Sequence, residues 1–76
     1  MERKIIVGKK YKHFKGNIMK VIAIAKHSET MEDMVVYKHL DTNEYWVRPY
    51  DMFNSLVDKT KYPSVKQEYR FEEVDD

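Results

Sequence analysis

The stretch Ile18-Met19-Lys20-Val21-Ile22-Ala23-Ile24-Ala25-Lys26 decides the fold. Its apolar residues occupy both phases of a strand's alternation, so the middle of the segment is apolar on both faces, as in a central or barrel strand. Ala23 and Ala25 thin the odd face and leave space for a bulky neighbour or a shallow groove. The run carries Lys20 and is too short to cross a bilayer as a helix.

Working outward, residues 11–14 read as a short strand, closed by Lys15-Gly16-Asn17. Gly16 and Asn17 tolerate positive φ and favour a tight hairpin. Downstream, residues 28–33 are polar and read as a loop. Residues 34–40 form a β-rich strand ending at the turn signal Asp41-Thr42-Asn43, and residues 45–48 form the next. Pro49 stops that strand and is suited to opening a short helix through Phe53 to Val57, with Met52, Phe53 and Leu56 plugging the core. Beyond Pro63, residues 65–74 alternate, with Val65, Tyr69 and Phe71 on one face and Lys66, Glu68, Arg70 and Glu72 on the other. These elements predict a mainly β chain, a small antiparallel SH3-like barrel or roll with one short helix, forming a single domain over residues 1–76.

Composition agrees with one compact domain. In 76 residues, 42% are apolar and 13% aromatic, enough for a core and against disorder. At this size folding hides only about 60% of the unfolded chain's surface, so a deep enclosed cavity is not expected. Cysteine is absent, which excludes a disulfide framework and thiolate metal sites. Ile5-Ile6-Val7 is too short for a secretory apolar segment, so a cytoplasmic location is expected, with no membrane partner and a monomer or small homo-oligomer as the assembly.

Charge is unevenly distributed. Residues 1–26 hold eight Lys/Arg against one acid, a balance of +7, whereas residues 27–76 hold six against twelve, a balance of −6. The functional reading is a basic surface for phosphates or an acidic partner; the alternative is that basic and acidic strands lie side by side and cancel. The alternative is favoured, because nucleic-acid binders usually have a pI above about 9 and this chain has a pI of 7.9.

Two clusters carry candidate chemistry. His27-Ser28-Glu29-Thr30 follows the long strand, and Trp46-Val47-Arg48-Pro49 lies further on. Alternation places Trp46 and Arg48 on one face, pairing a large π-surface with a permanent cation and its fork of donors. Beside His13 and Lys15, that face would offer stacking, a bidentate anion contact and added positive charge, as nucleotide-like ligands require. The structural alternative is a Glu29–Arg48 fork tying loop to strand, with Ser28 and Thr30 bonding amides of their own loop and Thr30 and Asp33 spaced as a capping box.

Other chemistry is less well supported. His13, His27 and His39 are spaced by fourteen and twelve residues, which matches no compact metal motif, and neither a metal nor a cofactor is expected. Ser28 and His27 are neighbours and point to opposite faces of an extended chain, and no nucleophile-elbow pattern surrounds Ser28.

Read together, Tyr11-Lys12-His13-Phe14-Lys15-Gly16, Ala25-Lys26-His27-Ser28-Glu29-Thr30, Val35-Val36-Tyr37 and Trp46-Val47-Arg48-Pro49 with Met52-Phe53 resemble a small bacterial and phage family, domain-of-unknown-function family 1653. The blocks occur in the family's order from Tyr11 to Phe53. The family often has arginine where this chain has Lys12 and Lys26, and it usually ends in a basic strand, whereas this chain ends in Glu72-Glu73-Val74-Asp75-Asp76. An anion site resting on that last strand therefore does not carry over. The resemblance implies a compact, mostly β domain with shared polar motifs and brings no activity with it.

Three functions fit these residues. The leading one is a non-catalytic module that binds a small anionic or nucleotide-like ligand between loop 27–30 and the Trp46–Arg48 strand. Arg48 and Lys15 would pair with charge, Trp46 or Tyr37 would stack, Ser28 and Thr30 would donate hydrogen bonds, and His13 or His27 would confer pH sensitivity. The alternatives are a protein- or nucleic-acid-interaction module using exposed aromatics such as Tyr50 and Tyr62, and a small hydrolase or transferase with His13 or His27 as general base.

Overall fold

A computed structural model describes residues 3–74; Met1, Glu2 and the terminal Asp75 and Asp76 of the acidic end lie outside the described residues. Five strands and one helical turn follow in order: β1 (Lys10–His13), β2 (Ile18–Lys26), β3 (Asp33–His39), β4 (Tyr45–Pro49), α1 (Tyr50–Phe53) and β5 (Phe71–Val74). They form one antiparallel sheet of order β4-β3-β2-β1-β5. The architecture is thus mainly β with one short helix, and the sheet is open, with β4 and β5 at its edges.

The sheet is nevertheless strongly curled. Laid flat, its two edge strands would stand roughly 19 Å apart, four spacings of about 4.8 Å. Instead, Arg48 Cζ of β4 lies 5.2 Å from the ring centroid of Phe71 of β5. The concave face holds the core: Tyr11, Met19, Val21, Val35, Tyr37 and Phe71 are buried there, and Phe53 is inserted from α1. Phe53 and Phe71 stack face to face with centroids 4.0 Å apart, and Tyr11 meets Phe53 edge-on at 5.6 Å.

The long strand β2 explains its own double apolar pattern. Val21 pairs with Tyr37 and Ala23 with Val36, so Ile22 is an extra residue in a β-bulge. Before the bulge Met19 and Val21 face the core; after it Ile24, paired with Val35, takes the same side. The segment is apolar in both phases because the phase shifts part-way, rather than because both faces are buried: Ile22 and Ile24 remain substantially exposed.

Two expected elements are shorter than the sequence implies. The helix stops at Phe53, where Asn54 is recruited instead to clasp the N-terminal segment: Arg3 Nε donates to Asn54 Oδ1 and Asn54 Nδ2 donates to the Arg3 carbonyl, both at 2.7 Å. With only one turn formed, Phe53 alone plugs the core, and Met52 and Leu56 are 50% and 60% exposed. The last strand runs only from Phe71. Upstream of it, Val57 N donates to the Glu68 carbonyl and Arg70 N to the Ser55 carbonyl, leaving Leu56–Tyr69 an isolated bridge. The backbone of 68–70 therefore pairs with 55–57, and the Glu72 carboxylate accepts the Glu68 and Tyr69 amides.

Tyr50 is likewise not a free contact residue. Its ring packs against the core and its hydroxyl accepts the Ile5 amide at 2.9 Å. The Tyr11 hydroxyl accepts the Ile6 amide in the same way, so two tyrosines hold the entering chain across the concave face.

Phe53→Ala should cost about 3–5 kcal/mol, lowering the melting temperature by about 4–8 °C per kcal/mol in a domain of this size. Leu56→Ala should stay within about 0.5 kcal/mol of wild type. Thermal denaturation of both variants checks this; comparable losses would mean that Leu56 is core after all.

Candidate functional site

The β1–β2 hairpin supplies the first two residues of the site. His13 N donates to the Asn17 carbonyl and Gly16 N to the His13 carbonyl, each at 2.8 Å, with Gly16 at φ +110°. This tight turn projects Lys15, whose own amide donates to His13 Nδ1 at 3.1 Å. That bond leaves Nε2 as the protonated nitrogen of the neutral ring. His13 is packed between Phe14 and Phe71, at centroid distances of 4.5 and 4.9 Å.

β4 supplies the third. Cross-strand partners share a face, so the pairs Tyr37–Trp46 and Val35–Arg48 set both Trp46 and Arg48 on the concave side, as strand alternation predicts. Arg48 reaches over Phe71 towards the hairpin. Trp46, half exposed, stands further out with its ring 5.6 Å from that of His39.

Around these residues are two adjoining cavities that share His13, Lys15 and Arg48 as walls. The first, about 330 Å³, is completed by Phe14, Tyr62, Arg70, Lys61 and Asp58. Four permanent cations thus surround it, against one carboxylate. Asp58 already accepts the Thr60 and Lys61 amides, at 3.0 and 3.4 Å, and these bonds, that from Lys61 foremost, hold its carboxyl below the usual range. Arg70 Nε is buried without a hydrogen-bond partner, an arrangement that costs free energy unless something accepts from it. The second cavity, about 180 Å³, is more aromatic, lined by Tyr37, His39 and Phe71, with Met19 at its base and Asn17 beside them.

The cation cluster is felt by His13. Burial first, and then Arg48, Lys15, Arg70 and His39, push its pKa down to about 4. The ring is therefore neutral at neutral pH and adds no further positive charge to the site.

Of the residues singled out in the sequence, His13, Lys15, Tyr37 and Arg48 converge. His27, Ser28, Glu29 and Thr30 line neither cavity. They follow the far end of β2, and the eight steps from Ile18 to Lys26 carry the chain roughly 26 Å from the hairpin. The loop is internally bonded: His27 Nδ1 accepts the Glu29 and Thr30 amides, Thr30 Oγ1 accepts the Glu32 amide, and Met31 N donates to the His27 carbonyl. Met31 takes positive φ to close it, and Lys26 and Asp33 pair across its base at 2.6 Å. Among the described residues, Glu29 and Arg48 form no ion pair. The imidazole, not a serine or threonine hydroxyl, is the main cap of this turn.

Arg70 and Lys61 complete the site without having been marked in the sequence, together with Phe14, noted only within a family block, and Tyr62, read only as an exposed contact aromatic. Strand alternation sets Arg70 on a solvated face, but the chain before Phe71 is not in the sheet and the side chain turns inward. Lys61 and Tyr62 come from the loop after Asp58, whose placement depends on Asp58 capping its own turn. No serine or threonine lines either cavity, and among the described residues no group of three or more His, Asp or Glu side chains is placed to hold a metal ion.

A curled, open antiparallel sheet with a basic, aromatic-walled cleft at one end of its concave face is a small β-domain class rather than an individual activity. Within that class, a family model described as a protein of unknown function (DUF1653) matches residues 9–73, and the chain belongs to that family. No curated protein and no solved structure matches it. Among the described residues no helix is long and apolar enough to cross a membrane.

The depressed pKa of His13 has a signed consequence for stability. Between about 6.5 and about 4, the unfolded chain binds the proton that the folded chain refuses. The stability contributed by neutral His13 is therefore complete above the unfolded pKa and declines as pH falls through that window. Melting temperatures measured from pH 7 to pH 4 should decrease, and His13→Asn should flatten the decrease; an unchanged slope in the variant would assign it to other groups.

Proposed function

We propose that this domain is a non-catalytic binding module for a small anionic ligand, held in the cleft between the His13–Lys15 hairpin, Arg48 and the segment bearing Lys61 and Arg70. The observation that carries this reading is the set of four permanent cations around one cavity, with a single carboxylate already engaged elsewhere. Like charges gathered this closely repel one another, and a bound anion relieves that repulsion while accepting from the unpartnered Arg70 Nε. A volume of about 330 Å³ is at the lower end of small-molecule sites, which span about 300–1,000 Å³. We also retain the SH3-like roll as part of this reading, since the curl that closes the cleft is that of a partly wound barrel.

Pyrophosphate, titrated calorimetrically at low salt, is the direct probe. Binding should be lost in Arg48→Ala and weakened about tenfold or more in Arg48→Lys, which keeps the charge and loses the planar fork. Wild-type affinity in Arg48→Lys would remove the central role assigned to Arg48.

A second reading rests on the opposite face. There Lys10 pairs with Lys20 and Lys20 with Lys38, a cross-strand row of like charge that ends beside the exposed Tyr45 ring, 5.8 Å from Lys38 Nζ. Lys12 stands opposite Glu72 across β1 and β5, at the margin of this row. Such a row fits an interaction module for a polyanionic partner. A nucleic acid would bind with affinity falling steeply as salt rises; a single-stranded oligonucleotide showing no binding at 50 mM salt would eliminate this reading.

A further inference from the structure

Resting on the anion-site reading above, we infer that the ligand is a nucleoside di- or triphosphate, with its phosphates in the first cavity and its base in the second. The two cavities differ in chemistry and adjoin, sharing His13, Lys15 and Arg48 as walls. The first is ringed by Lys15, Arg48, Lys61 and Arg70, which exceed the one carboxylate by three charges, more than a single phosphate group neutralises. The second has flat walls, from Tyr37 and His39. His39 is angled against both Tyr37 and Trp46, at centroid distances of 5.9 and 5.6 Å, so the aromatic surface continues outward to the half-exposed indole. Its own side chain is 22% exposed, enough for one ring face to meet a ligand. Asn17 beside it carries both donor and acceptor groups, as the edge of a base requires.

Because His13, Lys15 and Arg48 wall both cavities, one molecule can occupy both at once. Arg48 walls both cavities, with its Cζ 5.2 Å from the Phe71 ring centroid, and its guanidinium can fork to a phosphate. An inorganic phosphate or a sugar phosphate would fill only the basic half. A ligand with a polyphosphate at one end and a planar heterocycle at the other fills both.

The test compares the affinities of ATP, GTP, CTP and UTP with those of inorganic triphosphate and ribose 5-phosphate for the whole protein at one fixed salt concentration. At least one nucleoside triphosphate should bind about tenfold or more tightly than inorganic triphosphate, the gain expected from stacking one base on an aromatic wall. His39→Ala should lower nucleotide affinity by about that factor and leave inorganic triphosphate unchanged, whereas Lys61→Ala should weaken both. If His39→Ala does not fold, as judged by circular dichroism, His39→Asn is the substitute. Inorganic triphosphate binding as tightly as every nucleotide, or losing as much affinity as they do in the His39 variant, would overturn the two-part assignment while leaving the anion site intact. Absence of binding by all six compounds would overturn both.

Discussion

The stacked pair Phe53–Phe71 is the contact on which the rest of this domain depends. One ring comes from the helical turn α1 and the other from the last strand, an edge of the sheet. Without cysteines to form a disulfide, a chain of this size relies on packing to hold its ends together. The stack, with Tyr11 and Tyr37 set against it, draws the sheet into a curl and brings the β4 side chains over β5. The cleft is a product of that curl: Arg48 and Arg70 come from opposite ends of the strand order and line one cavity only because the sheet is bent.

The same geometry creates an electrostatic demand. Curling the sheet gathers cations from the β1–β2 hairpin, β4 and the loop before β5. The fold limits the cost by keeping His13 neutral and by leaving Lys15 and Lys61 exposed, where water screens them. It does not supply an internal counter-ion, because Asp58 and Glu72, the carboxylates near the loop, are committed to backbone amides. Each acid shapes the chain that presents a cation: Asp58 the turn leading to Lys61, and Glu72 the backbone just before Arg70. Local structure has been bought with the charges that would otherwise have balanced the site.

Much of the architecture was legible in the sequence, and the failures have physical causes. The hairpin at Gly16, the length of β2, the positions of β3 and β4, and the shared face of Trp46 and Arg48 all follow from turn chemistry and alternation. The extent of the final strand was not legible, because residues 65–70 alternate like a strand while their backbone is used by 55–57 and their carbonyls by Lys59 and Gln67. The helix was overextended for a related reason: whether Asn54 continues a helix or clasps Arg3 depends on a residue 51 positions away. Half of the candidate site, His13, Lys15, Tyr37 and Arg48, was visible as motif and face. Arg70 and Lys61 were not, since Arg70 is turned inward by the pairing of 68–70 with 55–57 and Lys61 is placed by the turn that Asp58 caps. The conspicuous His27–Thr30 run owes its composition to closing a tight turn, in which the imidazole of His27 takes two amides.

The bulge at Ile22 separates two properties that a regular strand keeps together. Removing that one residue would leave every other side chain of β2 on its present face, since Val21 would still pair with Tyr37 and Ala23 with Val36. What would change is the local bend, which bulges accentuate. A chain of this fold shorter by one residue here would therefore keep the same core and the same cleft-facing residues, yet hold the two rims of the cleft at a different separation. A single backbone unit, whose own side chain lines neither cavity, is in this sense the fold's adjustment for aperture.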